Sequence, residues 1–243
     1  MIDLSGQVVI VTGASGGIGG TICRVFTTAG ARVVGTYRFT PPADQDPDLF
    51  LAVQAELTDT VAPDLVVSRS IERFGRIDGL INGAASQDLV SLDAMTGARW
   101  QQMIDTNMTA VHRLTAAALP ALIESRGSIV HIASIEGSTP APMHAHYAVT
   151  KAALIMHAKA VALEYGVRGV RANSISPGLI GRDGIERDWP EGVQRWQNNA
   201  PLGRLGTPTD VANACLFLCS PLASWITGID LVVDGGVSTN PHW

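Results

Sequence analysis

The sequence predicts one α/β domain in which seven parallel strands form a sheet covered by helices on both faces. Apolar runs of strand length recur along the chain, helical patterns separate most of them, and no second composition regime appears across the 243 residues. With 46% hydrophobic and 16% charged residues, the chain has ample apolar surface for a core.

The strand candidates are VVIVTG at 8–13, ARVVGTY at 31–37, LFLAVQAEL at 49–57, GLINGA at 79–84, SIVHIAS at 128–134, VRANSISPG at 170–178 and IDLVVDGG at 229–236. After the first, five glycines fall between Gly13 and Gly20, and apolar residues then return at helical spacing through Phe26. The second connection reads RFTPPADQDPD; three prolines in seven residues exclude an ordinary crossover helix and predict a loop. The stretch LIGRDGIERDWPEGVQRWQNNA, at 179–200, mixes charges with two tryptophans and reads as irregular. No internal repeat or low-complexity segment is present.

Charge and cysteine content exclude several classes of function. A formal net charge of −5 without a basic cluster gives no electrostatic footprint for nucleic acid. Cys23, Cys215 and Cys219 lie in apolar helical contexts with no ligand-type pair, the pattern of buried thiols in a reducing compartment. The start MIDLSGQ lacks the basic and long apolar regions of a signal peptide, and no apolar stretch reaches the ~18 residues of a membrane span. A soluble, cytoplasmic protein without a membrane partner is expected.

A strand that ends in a glycine-rich turn and opens a helix can cradle a phosphate, because glycines allow close backbone approach and the helix's first amides attract an anion. TGASGGIG, at 12–19, has that form, with three residues between Gly13 and Gly17 and Gly19 following. On its own such a cluster also fits a tight structural turn. Further on, YAVTK places Tyr147 and Lys151 one helical turn apart on one face. A cation so placed favours phenolate, so the spacing predicts a lowered Tyr147 pKa and a group able to give or take a proton. Ser134 ends the fifth strand thirteen residues before Tyr147, whereas the rival Ser138 stands nine residues before it and past the strand.

TGASGGIG, NGAA at 82–85, Asn107 in DTNMTA, Ser134, Tyr147 and Lys151 in YAVTK, and Pro177-Gly178 occur in one order. Together they resemble the motifs of the short-chain dehydrogenase/reductase family over nearly the whole chain. The resemblance implies a Rossmann-like, doubly wound fold and an NAD(P)-dependent oxidoreductase that moves a hydride between a nicotinamide cofactor and a carbonyl or secondary alcohol. It makes Tyr147 the acid/base, has Ser134 hold the substrate oxygen, lets Lys151 bind the nicotinamide ribose, and gives Asn107 a relay water. Cofactor contacts implied are Gly13, Ser15, Gly17, Ile18, Gly19, Tyr37, Arg38, Glu56, Leu57, Asn82, Gly83, Ala84, Tyr147, Lys151, Pro177, Gly178 and the Ile180 backbone.

Tyr37 stands at the place of the family's NAD-selecting aspartate and Arg38 follows it, so NADP(H) is favoured over NAD(H). The chain departs from the family pattern in Gly16, where NADP-preferring relatives often carry a second basic residue, in Gly83 and Ala85 of the NNAG motif, and in the missing threonine after Pro177-Gly178. The 179–200 segment is expected to form a substrate lid anchored by Trp189 and Trp196, with core packing as the alternative for both rings. Gln87, Glu136, His144 and His146 are placed near the pocket mouth, which suggests a small polar ketone, sugar or polyol. A 3-oxoacyl thioester reductase and a cofactor-binding regulator without turnover are the alternatives. His144 and His146 lack a third metal ligand, and His131 reads as a satisfied buried side chain, so no metal is expected. The resemblance also implies a homotetramer built through the helices bearing Asn107 and Tyr147, joined by the C-terminal VDGG segment.

Overall fold

All seven apolar runs form strands: Val8–Val11 (β1), Arg32–Tyr37 (β2), Phe50–Gln54 (β3), Gly79–Asn82 (β4), Ser128–Ile132 (β5), Arg171–Pro177 (β6) and Asp230–Val233 (β7). The computed structural model describes residues 2–43 and 46–240. The strands pair in parallel in the order β3-β2-β1-β4-β5-β6-β7. Most strands stop short of their apolar runs. The run at 49–57 ends as a strand at Gln54, which leaves Glu56 and Leu57 in the connection that follows.

Helices Gly17–Thr28 (α1), Ala62–Phe74 (α2), Gly97–Ile104 (α3), Ala110–Ser125 (α4), Ala145–Tyr165 (α5), Ile185–Asp188 (α6), Pro190–Asn199 (α7) and Pro208–Cys219 (α8) complete the architecture. Successive β1 residues serve opposite layers, as the period of two requires. Val9 and Val11 join Ile22 and Phe26 of α1 and Val211, Cys215 and Leu218 of α8 in one core. Val8 and Ile10 join Val66 of α2, Leu114 and Leu122 of α4 and Val161 of α5 in the other. The three cysteines are free and buried in the α1 and α8 layer, where burial pushes the Cys23 and Cys219 thiols up to about 12.

No helix joins β2 to β3 among the described residues, in line with the proline density; Asp44 and Gln45 of that connection lie outside them. The 179–200 stretch is more regular than its sequence suggests. Pro190 occupies the first turn of α7, where its missing N–H costs nothing, and Ile185 and Val193 are buried beneath α6 and α7. Between α3 and α4 the chain makes a π turn, Asp105–Thr109, so that one wide turn interrupts a nearly continuous helix. Among the described residues no helix is long and apolar enough to cross a membrane.

In a parallel sheet every strand ends at the same edge. Gly13, Gly83, Ser134 and Gly178, which follow β1, β4, β5 and β6, therefore gather at one edge. The strand order reverses between β1 and β4, and a crevice opens at that switch point.

Candidate active site

The glycine turn is built by collisions that only glycine avoids. Gly13 has φ +77°, and a Cβ there would lie 3.0 Å from the Ala84 Cα. A Cβ on Gly19 would overlap the Gly13 carbonyl oxygen, so the first turn of α1 rests directly on the end of β1. Gly17 differs: an added Cβ meets nothing within 4 Å, and the helix N-cap, Gly16, supplies no side-chain acceptor. The first turn of α1 therefore has no side-chain cap, and Ser15, Gly16 and Gly17 beside it line a cavity of about 1090 Å³. Thr12 Oγ1 accepts the amides of Gly83 at 2.9 Å and Ala84 at 3.0 Å, which fixes the NGAA segment to this turn.

A second cavity, of about 830 Å³, holds Ser134, Tyr147 and Lys151 together with Ile18, Gly83, Pro177, Gly178 and Ile180. Lys151 Nζ lies 5.3 Å from the Tyr147 ring centroid and donates to the Ile132 carbonyl at 2.7 Å. Burial lowers the Lys151 ammonium to about 8. Tyr147 reverses the expectation from its spacing: burial pushes its phenol up to about 12, the Glu136 charge adds to the rise, and Ser134 opposes it. Removal of the phenol from water disfavours its charged form more than the neighbouring groups favour it. The group is therefore a protonated phenol at neutral pH, held beside a hydroxyl and an ammonium, an arrangement able to give a proton to a carbonyl oxygen.

Asn107 projects inward from the π turn and is fully buried. Its Oδ1 accepts the Ser86 amide at 2.8 Å, while its Nδ2 donates to the Ser86 carbonyl at 2.9 Å and to Thr150 Oγ1 at 3.2 Å. Thr150 in turn donates to the Tyr147 carbonyl at 2.7 Å, so Asn107 braces the first turn of α5 against the chain after β4. Asn82 plays a different part. It pairs in register with His131 across β4 and β5, and its Nδ2 lies 3.1 Å from His131 Nδ1, away from both cavities. His131 continues to His157 at 3.0 Å and His157 to His112 at 3.3 Å, a buried-to-surface histidine chain.

The remaining expected residues divide by place. Ser15 and Gly17 line the first cavity, and Gln87, Glu136, His144 and Trp189 line the second. His144 Nδ1 and Glu136 Oε2 pair at 2.7 Å, with the His144 ring 5.9 Å from that of Tyr147. His146 is buried, and neither of its ring nitrogens has a partner among the described residues. Tyr37, Arg38, Glu56, Leu57 and Ala84 line neither cavity; Arg38 pairs with Glu56 at 3.5 Å and lies over the Phe39 ring. No group of metal-ligating side chains occurs among the described residues.

Two features are absent from the sequence-based expectations, Thr12 as the clasp on NGAA and Arg182 on both cavities, whereas Trp196, expected as a lid anchor, lines the second cavity with its buried Nε1 unpartnered among the described residues. Thr12 was open to discovery, since it begins the glycine motif. Arg182 depends on the path of the 179–200 segment.

A family model described as enoyl-(acyl carrier protein) reductase matches residues 13–238. The chain belongs to the short-chain dehydrogenase/reductase family. It is 34% identical to the 2,5-dichloro-2,5-cyclohexadiene-1,4-diol dehydrogenase LinX of Sphingobium indicum, covering 97% of each chain. It is 33% identical to the 3-oxoacyl-(acyl-carrier-protein) reductase FabG of Vibrio cholerae, over 97% of this chain and 99% of that one. Among solved structures it is similar to the aldohexose dehydrogenase of Thermoplasma acidophilum, with a TM-score of 0.92, 29% identity, and coverage of 99% and 97% of the two chains. Membership of the short-chain dehydrogenase/reductase family implies a nicotinamide cofactor, and the uncapped helix start and open face at Gly17 fit its phosphates.

Proposed function

We propose that this protein is a reductase or dehydrogenase of carbonyl and secondary alcohol groups, with Tyr147 as the proton donor and acceptor. The observation that carries this reading is the meeting of Ser134, Tyr147 and Lys151 in one cavity at the sheet edge where the glycine turn also opens. When bound, the nicotinamide ring supplies the site of hydride donation or acceptance. Ser134 holds the substrate oxygen, and the phenol of Tyr147 delivers its proton there as the carbon is reduced. Lys151, anchored on Ile132, binds the nicotinamide ribose and offsets phenolate charge; Asn107 keeps the start of α5 in place.

NADP(H) is the favoured cofactor, because Tyr37 replaces an acidic residue at the end of β2 and Arg38 follows with a planar donor fork. Arg38 is 59% exposed in its pair with Glu56, and a 2′-phosphate there would exchange one weakly held carboxylate for a more highly charged partner. Helices α6 and α7 form a lid whose Trp189 and Trp196 rings wall the second cavity. Glu136 and His144, which pair beside the Tyr147 ring, offer polar atoms to the second cavity, which favours a small polar ketone, sugar or polyol. We also expect a cytoplasmic homotetramer, with the exposed Val149, Met156 and Leu163 of α5 in one of its interfaces.

The test is oxidation of NADPH and NADH against a panel of polar ketones, sugars and acyl thioesters, with polyols assayed in the reverse direction. Turnover of a polar substrate with higher kcat/KM for NADPH is expected. Best turnover of an acyl thioester would move the assignment toward the FabG relative's reaction. Measurable cofactor binding with no turnover throughout would point to a regulator.

A further inference from the structure

We propose that Arg182 binds the diphosphate of the dinucleotide and that its ion pair with Asp188 is the arrangement it leaves in order to do so. The inference rests on the dinucleotide reading above and names a residue that reading does not use. The glycine-turn cavity and the Tyr147 cavity share just two lining residues, Arg182 and Ile185, and Arg182 is the charged one. A ligand with phosphates against Gly17 and a reacting ring against Tyr147 has to cross the junction beside this guanidinium.

The other cations on the glycine side are less suited. Arg204 is held by Asp210 through bonds of 2.7 and 2.9 Å, strong enough to keep that carboxyl well below its usual range. Arg24 donates to Thr21 within α1, and neither it nor Arg187 lines the Tyr147 cavity. Asp183 and Glu186 also line the glycine side, so a diphosphate needs a specific cation there to offset them.

The backbone leading to Arg182 is fixed while its side chain is free to exchange partners. Gly181 donates to the Gly206 carbonyl at 2.8 Å, and Gly206 donates to the Leu179 carbonyl at 3.0 Å. The Arg182 side chain is 62% exposed, its guanidinium bonded to Asp188 Oδ2 at 2.8 Å and to the Asp183 carbonyl at 3.3 Å. Exposed ion pairs of this kind are weak, whereas guanidinium on phosphate is charge-assisted and suited to bidentate contact. Asp188 would not be left bare by the exchange, since Arg187 already reaches its Oδ1 at 3.2 Å.

The test is fluorescence titration of NADPH and NADH into the wild-type protein, Arg182→Met and Asp188→Asn, each at low and high salt, with thermal melts to verify folding. Arg182→Met should weaken dinucleotide binding by about 10- to 100-fold and flatten its salt dependence, with partial recovery in Arg182→Lys. Asp188→Asn should bind as tightly as wild type or a few-fold tighter, because it removes the competing partner. If Arg182 served only to hold Asp188, both variants would break the same pair and weaken binding alike; that result overturns the proposal, as does Arg182→Met binding within twofold of wild type. A wild-type protein that binds neither dinucleotide would overturn the cofactor reading itself and this assignment with it.

Discussion

Alanine at Gly17 and at Gly19 should have opposite effects, although a single residue separates the two positions. At Gly19 the new methyl would lie 2.7 Å from the Gly13 carbonyl carbon and overlap its oxygen, both backbone atoms that cannot swing aside. Overpacking of this kind costs about 1–3 kcal/mol, a Tm loss of about 2–12 °C for a chain of this size. At Gly17 the methyl meets no protein atom within 4 Å, and the residue opens a helix. Alanine there is neutral to stabilising by up to about 1 kcal/mol. The same methyl occupies the approach to the uncapped amides, so dinucleotide binding should fall at least tenfold in a protein as stable as wild type. Thermal melts and dinucleotide titrations of both variants decide the matter. Undiminished binding by Gly17→Ala would refute the phosphate-cradle account, because the space at Gly17 would then serve no ligand.

Two further perturbations follow from the lid and the histidine chain. A Cβ on Gly192 would overlap the Trp189 indole, so Gly192→Ala should expel that ring from the second cavity, red-shift tryptophan emission and lower kcat/KM about tenfold; unchanged emission and kinetics would contradict the lid reading. Burial holds His131 down at about 3 against an ordinary 6.5, and it lowers His157 as well. His131 stays neutral when folded and takes up a proton when unfolded, so its stability contribution is present above pH 6.5 and is lost as pH falls toward the folded value, and the lowered His157 acts in the same direction. For His131 the cost approaches about 1.4 kcal/mol per pH unit in that window. Urea midpoints should drop between pH 7.5 and 5, less so in His131→Gln, and pH-independent midpoints in the wild type would refute this.

The sheet was legible because its strands are buried on both faces, which leaves unbroken runs such as VVIV and SIVHI that no amphipathic helix would show. Gly13, Gly83, Ser134 and Gly178 were legible for a related reason: each follows a strand end, and parallel pairing collects strand ends at one edge. What stayed hidden depends on distant neighbours. The side chain of Asn82 turns away from the cavities because register sets it opposite His131, forty-nine residues on. The spacing of Tyr147 and Lys151 specifies a shared helix face and says nothing of burial, which decides the direction of the tyrosine's pKa. The π turn at Asn107 and the junction at Arg182 likewise come from packing between segments far apart in the chain.

Comparison of Tyr147→Phe with wild type, for dinucleotide affinity and for kcat on the best substrate of the panel, tests the central claim most directly. Loss of one hydroxyl leaves the glycine turn, Lys151 and the cavity walls in place, so cofactor affinity should stay within a few-fold while kcat falls by about 10²- to 10⁴-fold. A variant that binds cofactor and turns over at close to the wild-type rate would show that the proton comes from elsewhere, and the assignment of Tyr147 would fail.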